Sequence, residues 1–251
     1  MSSNLNSVEQ PDPEPDEDRP ARDEEIYEHV FDALLEHKLA PGTRLSEDRL
    51  GQAFGVSRTI IRKVLQRLEH EGVVEIQRNR GAMVAQTSRA QVGQLFEARR
   101  CIERTITRGV CQQVTPAQIG QLRALVQQEQ QALDEQDRGR ALRLSGELHL
   151  MLAEYCGNEF LAGFARSLIS RCSLAIAQYE VDGHDLCSCE EHYHILDAIN
   201  SGDADQASQL MDEHILHIRA KMHIREEDTE DPATKDIFAV LAQRRNKKHE
   251  T

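Results

Sequence analysis

The sequence predicts a mainly α protein in two folded parts, an N-terminal winged helix-turn-helix followed by an all-helical bundle. Three observations predict it. Two short helical patterns between Ser46 and Glu71 are joined by a glycine-containing turn. Two β-compatible stretches around a basic, glycine-bearing tip follow at once. Beyond Ser88 the apolar residues recur at helical spacing, with no strand pattern between them.

The chain has 251 residues, enough for two domains, and 39% of them are hydrophobic. No apolar run approaches the roughly 18 residues of a membrane span, so no membrane association and a cytoplasmic location are expected. Between Met1 and Asp23 lie seven acids and two arginines among four prolines, and residues 1–22 read as a disordered acidic tail. The six cysteines sit mostly inside helical patterns and are expected to be free thiols. A net charge of −13 argues at first against nucleic acid. Its distribution argues otherwise, because Ser57 to Gly81 carries six basic side chains against three acidic ones.

The first helix is expected from Glu24 to Leu39, on the spacing of Ile26, Val30, Leu34 and Leu35, and Pro41-Gly42 stops it. Ser46 is an N-cap with Glu47 and Asp48 in the first turn, Leu50, Ala53 and Phe54 supply the buried side, and Gly55 ends this second helix. Ser57 caps a third helix to about Glu71, which buries Ile60 or Ile61, Val64 and Leu68, with Gly72 just past its end. Val73–Gln77 and Ala82–Ala85 then form a hairpin, the wing. The winged domain is placed at residues 23–86 and the bundle at 87–226. Helices are expected at about 91–113, 116–136, 138–156, 158–181, 187–201 and 203–226. Residues 227–251 are a polar tail.

Ser57, Arg58 and Thr59 open the third helix, where free N–H groups and the dipole favour a phosphate and side chains can reach base edges. Arg62 lies one turn on, on the same face. An arginine presented to the major groove can take guanine O6 and N7 together. The alternative is a pair of ordinary solvated arginines, but cap, turn, face and wing all agree on the first reading.

Leu39-Ala40-Pro41-Gly42-Thr43-Arg44-Leu45-Ser46-Glu47, Phe54-Gly55-Val56-Ser57-Arg58-Thr59-Ile60-Ile61-Arg62 and Leu68-Glu69-His70-Glu71-Gly72-Val73-Val74 strongly resemble the GntR superfamily winged helix. Leu95-Phe96-Glu97-Ala98-Arg99-Arg100, Gly157-Asn158, Glu191-His192 and Met211-Asp212-Glu213-His214 resemble the FadR branch, with its FCD ligand-binding domain. The resemblance implies a DNA-binding transcriptional regulator, a homodimer on a short palindromic operator. It assigns the DNA contacts to Ser57, Arg58, Thr59 and Arg62 and, in the wing, to Arg78 and Asn79. Where some members carry a base-reading arginine at the start of the second helix, this chain has Asp48.

In the bundle, Val92, Leu95, Arg99, Ile102, Ile106 and Val110 share one stripe. A guanidinium in such a stripe needs an anion, either an internal glutamate or the acidic group of an effector. Arg100 points elsewhere and reads as a surface charge. His149, His192 and His214 interrupt apolar faces on three separate helices. They are candidates for a divalent metal site (zinc or similar), or for a hydrogen-bonding pocket within the core. The FCD resemblance marks the same three positions as metal ligands and expects an aspartate one turn before the first, where this chain has Ser145. Arg99, Ser145, His149, His192 and His214 are therefore the candidate effector-binding residues, with an organic acid or other anionic metabolite as effector. His194 and His217 read as surface residues, and Cys187-Ser188-Cys189 lacks the second cysteine pair of a zinc site. Two other functions remain open, a helical-bundle metalloenzyme and an effector-independent DNA-binding protein. No nucleophile–base pair accompanies the histidines, and a pure dimerisation core would be apolar at Arg99.

Overall fold

The computed structural model describes residues 19–35, 38–78, 80–179 and 189–222. The N-terminal part runs α1 (Arg19–Leu35), β1 (Arg44–Leu45), α2 (Glu47–Phe54), α3 (Arg58–His70), β2 (Val74–Gln77) and β3 (Gly81–Val84). Ser46 is extended, and its hydroxyl accepts the Arg49 amide at 3.4 Å, which opens α2. Gly55, left-handed at φ 67°, closes it. The turn into α3 is tight, since a Cβ on Gly51 would stand 3.0 Å from the Val56 carbonyl oxygen. Ile26, Val30 and Leu34 of α1, Leu50 of α2 and Ile61, Val64 and Leu68 of α3 close over Val74, Ala82 and Val84 as one core. Of the two candidate core isoleucines, Ile61 is fully buried and Ile60 only partly.

Three boundaries differ from the sequence reading. Helix α1 begins at Arg19, already inside the stretch expected to be tail; residues 1–18 and the C-terminal tail at 227–251 lie outside the described residues. It ends at Leu35 rather than near Leu39, and Leu39 is buried from the following loop instead. The wing sheet has three strands in the order β1-β3-β2, all antiparallel, with Arg44 opposite Met83 and Val74 opposite Val84. Strand β1 has two residues, too few to show a period of two.

The second part is the expected six-helix bundle: α4 (Arg89–Gln113), α5 (Pro116–Asp134), α6 (Arg138–Tyr155), α7 (Glu159–Tyr179), α8 (Cys189–Asn200) and α9 (Ala204–Lys221). Capping boxes open α4 at Ser88 with Gln91 and α5 at Thr115 with Gln118, the latter with Pro116 in its first turn. Helix α4 is the central element and packs against α6, α7, α8 and α9. The expectation that no apolar run approaches the length of a membrane span needs correction, and the expectation of no membrane association is not overturned with it. Helix α7 has 21 residues and is long and apolar enough to cross a membrane, by length and composition only. Half of that stretch is buried, because α7 packs against α4 and α6 on one side and α1 on the other. The described cysteines, Cys101, Cys111, Cys156, Cys172 and Cys189, are free thiols.

The two parts share a seam along α7. The Gln178 side chain donates to the Ala85 carbonyl at 3.0 Å and accepts the Thr87 amide at 3.2 Å, and the Tyr179 hydroxyl donates to the Thr87 carbonyl at 2.6 Å. Leu174 of α7 belongs to the N-terminal core, and Arg143 of α6 pairs with Asp32 of α1 at 2.8 Å. Gly72 has φ +78°, and a Cβ there would meet Arg171 of α7 at 2.1 Å. Gly72→Ala therefore strains the backbone and displaces Arg171, and should cost about 1–3 kcal/mol in denaturant unfolding. An unchanged midpoint would show that both strain and collision relax freely.

Candidate DNA-reading surface and histidine centre

Ser57 is extended at the N-cap of α3, and its side chain makes no capping hydrogen bond. Ser57, Arg58, Thr59 and Arg62 are all exposed, on the side of α3 opposite the buried Ile61, Val64 and Leu68. Both arginines meet carboxylates from the first turn of α2. Arg62 donates from Nε and Nη2 to the two Glu47 oxygens at 2.9 and 2.7 Å, and Arg58 contacts Asp48. The hydrogen bond from Arg62 holds Glu47 below the usual carboxylate range. Exposed pairs of this kind contribute little stability, so a DNA backbone or base edge can displace them. The sequence reading placed Glu47 and Asp48 only as helix-start charges and missed these contacts. Arg78 is exposed at the turn after β2, and Asn79 lies outside the described residues.

His149 of α6, His192 of α8 and His214 of α9 meet in the bundle core, all three buried, with candidate ligand atoms within 4.8 Å of one another. Each imidazole gives its Nδ1 hydrogen to a different carboxylate. His149 donates to Glu103 of α4, His192 to Glu129 of α5 at 2.8 Å, and His214 to Glu191 of α8 at 2.7 Å. An ionised carboxylate only accepts, so opposite Glu103 and Glu191, both held down at about 2, the tautomers of His149 and His214 follow and each Nε2 keeps its lone pair. His192 Nε2 and His214 Nε2 stand 3.1 Å apart, and His149 Nε2 is buried without a hydrogen-bond partner among the described residues. Burial, chiefly, depresses His149, and burial with the neighbouring His192 brings His214 down to about 3. His149 and His214 are thus neutral near pH 7, and lone pairs converging at the centre repel unless a cation stands among them. The donor set fits a divalent metal, in the form where each ligand histidine is oriented by a carboxylate.

Arg99 finds its anion inside the chain. It pairs with Glu103 at 2.5 Å, and both are buried. Burial alone would raise Glu103, but Arg99 and His149 together hold it at about 2. Ser145 is buried and lines the same small void as Arg99. With Leu142, Gly146 and Ser173 these two residues line a void of about 10 Å³, the size of a single water. Arg100 is more than a surface charge, because it binds both Asp212 oxygens at 2.8 Å and ties α4 to α9. His194 is exposed, and His217 is 58% exposed and shares Glu191 with His214. Of the cysteine pair, Cys189 is buried at the start of α8, and Cys187 lies outside the described residues. Sequence reasoning missed Glu103, Glu129 and Glu191. A trace existed for two of them: Glu103 falls one turn after Arg99 on the same stripe, and Glu129 sits between Val126 and Ala132 on the buried side of α5.

Residues 22–84 match the family described as bacterial regulatory proteins, gntR family, and residues 94–217 match the FCD domain. The Uxu operon regulator of Haemophilus influenzae is 31% identical over 211 residues, covering 76% of this chain and 77% of its own. The chain is a GntR-family regulator with an FCD domain. The HTH-type transcriptional repressor RspR of Escherichia coli K12 is 25% identical, over 82% of this chain and 92% of its own. Among solved structures, E. coli McbR/YncC superposes with a TM-score of 0.68 at 18% identity, over 79% of this chain and 95% of that one, a likeness of fold. GntR-family regulators bind DNA operators and small-molecule effectors. The relatives are transcriptional regulators rather than enzymes, which decides against the helical-bundle metalloenzyme.

Proposed function

We propose that this GntR-family regulator reads a palindromic operator as a homodimer in the cytoplasm, and that the histidine centre of its bundle controls the affinity. Ser57, Arg58, Thr59 and Arg62 of α3 enter the major groove, and Arg78 and Asn79 of the wing contact the flanking backbone. The exposed phenylalanines Phe160 and Phe164 on α7 support a second copy as partner, since exposed apolar patches mark contact surfaces. One observation carries the regulatory half of the reading: three buried imidazoles with converging ligand atoms, each fixed by its own carboxylate, inside the domain joined to the DNA-reading helix.

His149, His192 and His214 would hold zinc or a similar divalent ion, for which imidazole is a suitable ligand. Such an ion would supply a positive centre for an oxygen-rich anion. The protein's own part is to keep the imidazoles neutral and oriented, and to exclude water around them. Arg99 is the second cation near the site, and an organic acid effector would compete with Glu103 for it. Selection of binding duplexes from random DNA, with the full chain and with zinc added or removed, tests the function as a whole. Failure to enrich any motif would overturn it.

Ser145→Asp places a carboxylate one turn before His149 and should raise zinc affinity about tenfold, as a further anionic ligand would. Isothermal titration of the chelator-stripped protein reads this directly. Unchanged affinity would mean that Arg99 captures the new carboxylate.

A further inference from the structure

Glu71 is a carboxylate in an unfavourable place. It caps the C-terminus of α3, where the helix dipole disfavours an anion, and it is only 2% exposed. Three donors hold it there. The Tyr27 hydroxyl of α1 donates at 2.6 Å, Arg67 Nε of α3 stands at 3.6 Å, and the Ser170 hydroxyl of α7 donates at 3.3 Å. Arg67 also lies over the Tyr27 ring, 3.6 Å from its centroid, and binds Glu24. Two of the donors belong to the DNA-reading domain and the third crosses the seam. A buried anion that loses a donor bears an uncompensated desolvation cost, so the Ser170 contact constrains where the end of α3 can stand.

Helix α7 shows a different face two residues later. The Cys172 thiol is buried and lies beside Arg99, whose charge acts on it. Arg99 is bound to Glu103, and Glu103 accepts the Nδ1 hydrogen of His149. A continuous series of contacts therefore runs from a histidine of the metal centre through Glu103, Arg99 and Cys172 to α7. Ser170 carries it on to the end of the recognition helix. The distance along α7 is two residues, about 3 Å of helix rise. Beside Glu71 the seam is not packed solid: a cavity of about 240 Å³ opens between α1, α6 and α7, lined among others by Tyr27, Arg67, Met151 and Ser170.

We infer that Glu71 is a positioning residue for operator reading: through Ser170 it ties the recognition helix to α7, and the state of the histidine centre reaches the DNA through this carboxylate. The inference rests on the DNA-reading role of α3 proposed above. No contact with DNA is assigned to Glu71 or Ser170.

The test uses the full chain, a duplex selected by the wild-type protein, and zinc alone as the probe. Operator affinity is measured for zinc-loaded and chelator-stripped protein, with zinc content and melting temperature recorded for each variant. Wild type should show at least a tenfold difference between the two states, a typical size for coupled sites. In Ser170→Ala the ratio should fall to about one, while zinc content and affinity for a scrambled duplex stay as in wild type and the melting temperature falls only by the loss of one hydrogen bond. Ser170→Thr restores the hydroxyl and should restore the ratio. Tyr27→Phe releases Glu71 from the opposite side, far from the histidines, and should also reduce the ratio, which keeps the test decisive if Ser170→Ala folds poorly. A wild-type ratio of one, or a ratio that survives both Ser170→Ala and Tyr27→Phe, would overturn the inference. Arg58→Ala is the separate control, since full operator affinity in that variant would remove the DNA-reading role itself.

Discussion

Arg58→Ala and Arg62→Ala should each abolish operator-specific binding while leaving the fold intact. Both side chains are exposed, at 66% and 58%, and neither contributes to the N-terminal core. A bidentate arginine–guanine contact discriminates by roughly 10- to 100-fold. Loss of one such contact in each protomer of a dimer counts twice on a palindrome, so the specific complex should fall to the level of scrambled DNA. Each variant also leaves a carboxylate, Asp48 or Glu47, facing the groove without its partner, which adds repulsion from phosphates. Electrophoretic mobility shift with operator and scrambled duplexes, together with thermal melting, reads both halves of the expectation. Operator affinity equal to wild type in either variant would mean that α3 is not the reading helix.

His192→Ala should eliminate stoichiometric metal binding. His192 Nε2 stands 3.1 Å from His214 Nε2, and its ring centroid lies 5.5 Å from that of His149. Two imidazoles cannot make up the usual three-ligand zinc site. The substitution also leaves Glu129 buried without the imidazole that donates to it, so the apo variant should melt lower than the apo wild type. Elemental analysis of protein purified with zinc in excess gives the occupancy. Wild-type zinc content in His192→Ala would reduce the histidines to core packing.

The fold was legible because its signals are local. Cap positions at Ser46 and Ser57, glycines at 55 and 72, and apolar spacing along α4 to α9 placed nearly every helix within a few residues. The three histidines were legible for a related reason: a polar residue on an apolar stripe is anomalous wherever it sits. What could not be read was pairing between elements. Arg99 announced that it needed an anion, but only the packed structure shows that Glu103 serves it and His149 together. Glu191 stood in the sequence only as the neighbour of His192, and its role was hidden because it orients His214 and His217 from across the α8–α9 contact. The same holds for Glu47 and Asp48, whose role as helix-start charges was already sufficient and hid their reach to α3.

Leu174 has a bearing on how such regulators can be rearranged. A side chain numbered with the sensor completes the hydrophobic interior of the reader, and Gln178 and Tyr179 tie down the strand of chain that joins the two. The boundary visible in the sequence, near residue 86, is therefore not a boundary in the packing. A recombinant that joined this N-terminal domain to the sensor of a relative would inherit whatever residue that relative carries at the Leu174 position. Exchange of whole sensors between family members should succeed only where the α7 face is exchanged as a matched set with its reader, so that modularity along the gene is limited by continuity in the core.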